Sequence, residues 1–140
     1  MILAFDTDVL IYAADLTHPL GQKVLRVLEH PAITAIGSCI LLPELLSKPI
    51  RLGLHDERDA LLGILALLEL IALDTANATL AAQLGASYKL KAPDAIHLAT
   101  AVQAGADAFI TNNTSDFKPE LILELNVLFP MQLEQLLNEE

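Results

Sequence analysis

The feature that most restricts the fold is an alternation, along the whole chain, of very short apolar segments with longer segments of helical spacing. Ile2–Phe5 is apolar at every position. A strand with one wet face alternates apolar and polar residues, whereas a strand apolar throughout is buried on both faces. "AITA" (32–35), "LIALD" (70–74), "DAFIT" (107–111) and "NVLF" (126–129) read as further strands. Between them lie helical patterns. One starts at Asp8–Ala14, and a second over 18–30 has Leu20, Val24, Val27 and Leu28 at helical period. A third covers 38–53, where Pro43 and Pro49 must bend or break it. The segment 55–69 opens with acids, as a helix N-terminus should. The segment 75–90 has Gly85 as a weak point, and 92–105 opens with Pro93 and Asp94 and stops at Gly105. "PMQLEQLL" (130–137) is a terminal helix. Short buried strands joined by helices predict an α/β fold, a short-stranded, mainly parallel central sheet covered on both sides. Residues 1–140 suffice for one compact domain, and no repeat or linker divides them.

Composition narrows the function classes. Hydrophobic residues make up 54% and charged residues 19%, which excludes a disordered chain. A mean hydropathy of +0.49 points to apolar surface meant for a partner or a second copy. The longest apolar stretch, "ALLGILALLELIAL" (60–73), is interrupted by Glu69 and is shorter than the ~20 residues of a spanning helix. It is a candidate dimer face and equally a candidate core segment. No basic region precedes the first apolar run, so the expectation is no signal peptide and a cytoplasmic protein. Cys39 is alone, which leaves neither a disulfide framework nor a cysteine zinc site. The net charge of −10 argues against a broad basic face for nucleic acid. It accommodates a carboxylate cluster neutralised by metal ions, or a basic protein partner.

In parallel α/β sheets, sites lie past the carboxyl ends of the strands. Asp6 follows the first strand directly, and Asn112 and Asn113 follow "DAFIT". Each candidate has an ordinary reading as well. Asp6 can cap the next helix, a role Asp8 can share. Glu44, the one charge in "CILLPEL", is either on an exposed stripe or buried with a partner. Asp94 suits the positive end of a helix dipole. His97, three residues on, shares its face and reads as a core histidine or a supporting residue. Thr111, Asn112, Asn113 and Asp116 form a polar turn. Together they change the odds. Asp6 and the turn go to one sheet edge, and Glu44 and Asp94 lie on helices that can reach it. Converging carboxylates repel unless a cation sits between them. Oxygen-only ligands select Mg²⁺ or Mn²⁺, and no spacing suggests zinc.

The ordered set "FDTDVLIYA", "LLPELL", "PDAIHLATA" and "FITNNTSDF" resembles the PIN-domain family across nearly the whole chain. These are α/β/α metal-dependent ribonucleases, many of them VapC-like toxins of toxin–antitoxin pairs. The first and third motifs are specific as a pair, and the glutamate motif is generic. The resemblance implies that Asp6, Glu44 and Asp94 hold Mg²⁺ or Mn²⁺, and that Thr7 and Thr111 position substrate. Asn113 stands where many members have an acid, and Asp116 is expected to supply the last carboxylate. The implied catalytic set is Asp6, Glu44, Asp94, Asn113 and Asp116. Asp8 stands where Asn is more usual. The implied activity is RNA phosphodiester cleavage leaving 5′-phosphate and 3′-hydroxyl ends. The implied partners are RNA, a small basic antitoxin and a second copy of the chain. Lys48, Arg51, Lys89 and Lys91 are candidate phosphate contacts. The alternative is a non-catalytic PIN-like binding module, which Asn113 and the net charge favour. A phosphatase reading of "DTD", with Asp6 as nucleophile and Asp8 as acid/base, ranks last because the downstream Lys and paired acids are missing.

Overall fold

The structure is a computed structural model and describes residues 1–138. β1 (Ile2–Phe5), β2 (Thr34–Ser38), β3 (Glu69–Ile71), β4 (Ala108–Ile110) and β5 (Asn126–Leu128) form a sheet in the order β3-β2-β1-β4-β5. Every pairing is parallel, and Leu3 on β1 sits between Ala35 and Ala108. The residues of β1 alternate between two apolar layers. Leu3 and Phe5 join Ala35, Ala108 and Ile110 on one face. That face is covered by α1 (Thr7–Ala14), α2 (Pro19–Glu29), α3 (Leu41–Leu52), α4 (His55–Leu65) and α7 (Leu133–Asn138). Ala4, Ile36 and Phe109 face α5 (Thr75–Tyr88) and α6 (Ala92–Gln103) on the other. The three-layer α/β/α arrangement expected from the apolar strands is present, and its sheet is parallel throughout.

The connections fix where a site can form. The crossovers from β1 to β2 and from β2 to β3 use helices of the first face, and the return from β3 to β4 uses the second. The topological switch therefore lies between β1 and β4, where a crevice opens beyond the strand ends. Asp6 and Thr111 are the first residues past those two ends.

Several local expectations need correction. β2 continues to Ser38 instead of stopping at Ala35. Within it, a Cβ on Gly37 would lie 2.5 Å from the Leu41 side chain and 3.2 Å from that of Leu68, so only glycine lets the strand pass under them. β3 is shorter than 70–74 because its partner strand ends at Ser38, which pairs with Ile71. α3 runs unbroken through both prolines. Pro43 lies in the first turn, where an N–H has no acceptor within the helix. Pro49 lies close to the C-terminus, and the helix stops at Gly53 in left-handed conformation, φ 67°. α5 runs through Gly85 without a break, and a Cβ there would be at ordinary contact distance, 3.4 Å, from the Ala95 Cβ of α6. The 60–73 run is divided. Leu61, Ile64, Leu65 and Leu68 are core, while Leu62, Leu67 and Leu73 are exposed. Among the described residues no helix is long and apolar enough to cross a membrane.

Candidate active site

Asp6 is placed by backbone pairing before its side chain does anything. Its N–H donates to Ile110 O at 2.9 Å, the next rung of the β1–β4 ladder. Its side chain is 5% exposed, and both oxygens are in use. Oδ1 accepts the Thr7 N–H at 2.8 Å, capping α1. Oδ2 accepts the Thr111 hydroxyl at 2.8 Å. Capping and site membership, alternatives in the sequence, coincide in one residue, and neither Thr7 nor Asp8 is the cap.

Thr7 and His97 converge on Glu44. The Thr7 hydroxyl donates to Glu44 Oε1 at 2.9 Å, and His97 Nε2 lies 2.5 Å from the same oxygen and 3.0 Å from Thr7 Oγ1. Glu44 is neither fully exposed nor buried: its side chain is 31% exposed beside a His97 that is almost wholly covered. Burial works to raise the Glu44 pKa. The His97 hydrogen bond and charge and the Thr7 hydroxyl outweigh it, and the net direction is down.

Asp94 opens α6 just after Pro93, at the positive end of the helix dipole. Its pKa is pushed up to about 6, first by burial and then by the charges of Asp6 and Asp116, with a smaller push from Glu44 and an opposing pull from His97. Asp8 also rises to about 6, through burial and Asp6, with a lesser push from Asp94. Backbone N–H groups of Asn112 and Val9 oppose that rise, the Asn112 N–H lying 3.2 Å from Oδ2. Two carboxyls raised to about 6, first by burial and then by the charge of Asp6, belong to one electrostatically coupled cluster.

The turn after β4 is built from its own side chains. The Asn113 N–H donates to Thr111 Oγ1 at 3.0 Å, and Asn113 Oδ1 accepts from Ser115 Oγ and from the Asp116 N–H. Asn113 Nδ2 donates to Asp116 Oδ2 at 3.0 Å. Phe117 anchors the turn, fully buried and edge-on to Phe109 at 5.1 Å between ring centroids. Asp116 is thereby held exposed at the mouth, near enough for its charge to act on Asp94. Asn112 Nδ2 donates to the Tyr12 hydroxyl at 3.0 Å, and Tyr12 stacks on His18.

The structure thus brings Asp6, Glu44, Asp94 and Asp116 to one edge, with Thr7 and Thr111 as hydroxyl links and Asn113 bonded within the turn. The donor set is carboxylate oxygen, which fits a hard divalent cation, and mutual repulsion within it is what such an ion relieves. As placed among the described residues, no three His, Cys, Asp or Glu side chains stand close enough together to hold a metal ion. Two residues go beyond the set expected from sequence. Asp8 was legible as an extra charge near Asp6. His97 was legible as a neighbour of Asp94 on one helix face, but its bond to Glu44, 53 residues away, was not. Among the described residues Lys48, Arg51, Lys89 and Lys91 make no ion pair.

The sequence model of the PIN domain family matches residues 3–118. The chain belongs to the PIN domain family. No curated protein matches it. Among solved structures, this PIN domain is similar to a chain of a toxin–antitoxin complex from Klebsiella pneumoniae. That pair has a TM-score of 0.72 and 28% identity, covering 91% of this chain and 97% of the other. A chain of Rickettsia felis VapBC2, bound to a DNA fragment from its promoter, superposes with a TM-score of 0.75 at 21% identity, covering 92% and 98%. A chain of DNA-bound VapBC from Salmonella typhimurium gives 0.71 at 20% identity, covering 93% and 98%. The last two likenesses are of fold. In this PIN domain the acidic cluster occupies the switch between β1 and β4.

Proposed function

We propose that this PIN domain is a divalent-cation-dependent endoribonuclease and the toxin member of a toxin–antitoxin pair. The observation that carries the reading is the meeting of Asp6, Glu44 and Asp94 at the β1–β4 edge, with the Asp94 carboxyl held up to about 6 by burial and by its acidic neighbours. Asp6, Glu44 and Asp94 would hold Mg²⁺ or Mn²⁺, which when bound supplies a Lewis acid and a lowered pKa for a water attacking the phosphodiester. Thr111 and Thr7 keep Asp6 and Glu44 in fixed orientations. Asp116, steadied by Asn113, is the exposed carboxylate of the set, and its proposed role is to orient the attacking water.

The surroundings support different partners on the two sides. Beside Asp116 is a cleft of about 590 Å³ lined by Lys89, Lys118, Ser87 and Ser115, suited to phosphates of an RNA strand. Beside Glu44 is a groove of about 600 Å³ with Ile11, Leu45 and Leu61 along it and Asp15, Asp56 and Glu57 around it. That combination suits an apolar segment of a basic partner, and the Klebsiella pneumoniae neighbour is itself from a toxin–antitoxin complex. Exposed Ile50, Leu52 and Leu54 suit a homodimer, checked by light scattering. A cytoplasmic location belongs to the same reading.

The test is cleavage of a panel of structured RNAs with Mn²⁺, by wild type and Asp94→Asn in parallel. Cleavage by wild type alone supports the proposal, and equal cleavage by both overturns it. The second reading is a non-catalytic scaffold. It is favoured by the engagement of Asn113 within its own turn and of Glu44 Oε1 with His97 and Thr7. Absence of both cleavage and Mn²⁺ binding in the wild type would support it.

A further inference from the structure

We propose that His97 is a positioning residue that fixes the Glu44 carboxylate and leaves its second oxygen for the cation; the inference rests on the metal-dependent reading above. The three side chains needing orientation are not alike. Asp6 is short, follows a strand, and has both oxygens bonded. Asp94 is short and set by the first turn of α6. Glu44 has one more rotatable bond and stands on a helix facing solvent, so without a clamp its carboxylate would sample several rotamers.

The clamp closes on one oxygen. His97 Nε2 at 2.5 Å and Thr7 Oγ1 at 2.9 Å both reach Oε1, and Nε2 and Oγ1 are 3.0 Å apart. An ionised carboxylate only accepts, so Nε2 carries the hydrogen of that bond. Oε2 makes no hydrogen bond among the described residues. Oε1 is thus saturated and Oε2 open. Partners of this kind, behind a ligand, orient metal-binding side chains.

The other ring nitrogen argues that the imidazole is present for Nε2. His97 is 2% exposed, and its Nδ1 is buried with no partner. Its neighbours on α6, Ala95, Leu98, Ala99 and Ala101, are buried apolar residues. A leucine at this position would leave no polar atom unpaired, so packing alone disfavours histidine. The helix also carries Asp94 three residues earlier, on the same face. One rigid element therefore delivers a carboxylate and the clamp on a second carboxylate that comes from α3.

The experiment uses the full chain and calorimetric titration with MnCl₂, accompanied by metal-free urea denaturation. His97→Leu removes the donor. His97→Gln keeps an N–H near the Nε2 position, and His97→Asn keeps an amide too short to reach. Expected are a Mn²⁺ Kd raised roughly 10–100-fold in His97→Leu and His97→Asn and a near wild-type Kd in His97→Gln, with cooperative metal-free unfolding of each variant showing that it folds. Glu44→Gln should weaken binding too, and adding His97→Leu to it should change little further. Should His97→Leu fail to fold, the Asn and Gln variants decide. Wild-type affinity in His97→Asn, or effects of Glu44→Gln and His97→Leu that simply add, would overturn the inference while leaving the metal site standing. Absence of Mn²⁺ binding by the wild type would overturn the metal site and the inference together.

Discussion

The Thr111 hydroxyl donates to Asp6 Oδ2 at 2.8 Å, one residue past the point where β4 and β1 stop pairing. Thr111 is fully buried and Asp6 nearly so, so this bond joins the strand ends in a dry place. Thr111→Val keeps the shape and removes the donor. It leaves a buried carboxylate oxygen unpaired, and the expected loss is about 1–3 kcal/mol in urea denaturation. Thr111→Ser should recover most of it. Equal stability of the Val variant and wild type would show that the bond contributes nothing net.

The two raised carboxyls set a pH dependence with a definite sign. Asp8 and Asp94 sit at about 6 in the folded protein against 3.8 for the ordinary group. Between those values the folded state binds more protons than the unfolded one, so stability falls as pH rises. Glu44 and Asp15, both lowered, act oppositely: their contribution is present above the ordinary carboxylate value and is lost on acidification. Metal-free protein in chelator should therefore melt at lower temperature at pH 7 than at pH 5. Asp94→Asn should flatten that fall. Millimolar Mn²⁺ should restore the melting temperature at pH 7 by mass action, since ionised carboxylates bind it best. A melting temperature independent of both pH and Mn²⁺ would count against the coupled cluster.

The cleft beside Asp116 predicts where RNA contacts lie. Lys89 and Lys118 line it, and among the described residues neither is paired with a carboxylate. The double substitution Lys89→Gln, Lys118→Gln should raise the KM for RNA several-fold with kcat nearly unchanged. It should also lower the salt dependence of binding by about two phosphate contacts. Lys48→Gln, on the Glu44 side, should do less. The reverse ranking would place the RNA along the other groove.

What could be seen in the sequence was whatever depends on local pattern. The strands announced themselves because a segment such as Ile2–Phe5 has no polar face, and α6 because Pro93, Asp94 and Gly105 punctuate it. The convergence of Asp6 with the "TNNTSD" turn followed from parallel topology alone. Contacts between distant elements were not legible. The strand read at "AITA" stopped short of Ser38 because the close packing of Gly37 under Leu41 lies in the tertiary structure. Pro49 read as a breaker because the nearness of the helix end at Gly53 was unknown. His97 read as a core histidine or a supporting residue with no partner assigned, because nothing local says that Glu44 will arrive beside it. Site residues at strand ends were readable from topology and Glu44 from the resemblance, while the bonds between side chains of different helices were not.

Asp6 itself gives the sharpest test of the site, because its two roles respond differently to one substitution. Asp6→Asn keeps an oxygen for the Thr7 N–H, so α1 stays capped, Asn being as good a cap as Asp. The new amide can donate to Thr111 Oγ1 where a carboxylate oxygen accepted. The fold should therefore survive. Removing one of the charges that raise Asp8 and Asp94 should even make the metal-free variant as stable as wild type or more so at pH 7. The ligand role has no such substitute, since a neutral amide is a far poorer ligand for a hard cation and the remaining carboxylates hold it less well. The expected result is loss of the Mn²⁺-induced rise in melting temperature and a fall of at least about 100-fold in RNA cleavage, roughly 2.7 kcal/mol of transition-state stabilisation. Wild type and variant are compared on one RNA preparation, with melting curves to confirm folding. A folded Asp6→Asn protein that still binds Mn²⁺ and cleaves RNA at the wild-type rate would reduce Asp6 to a helix cap.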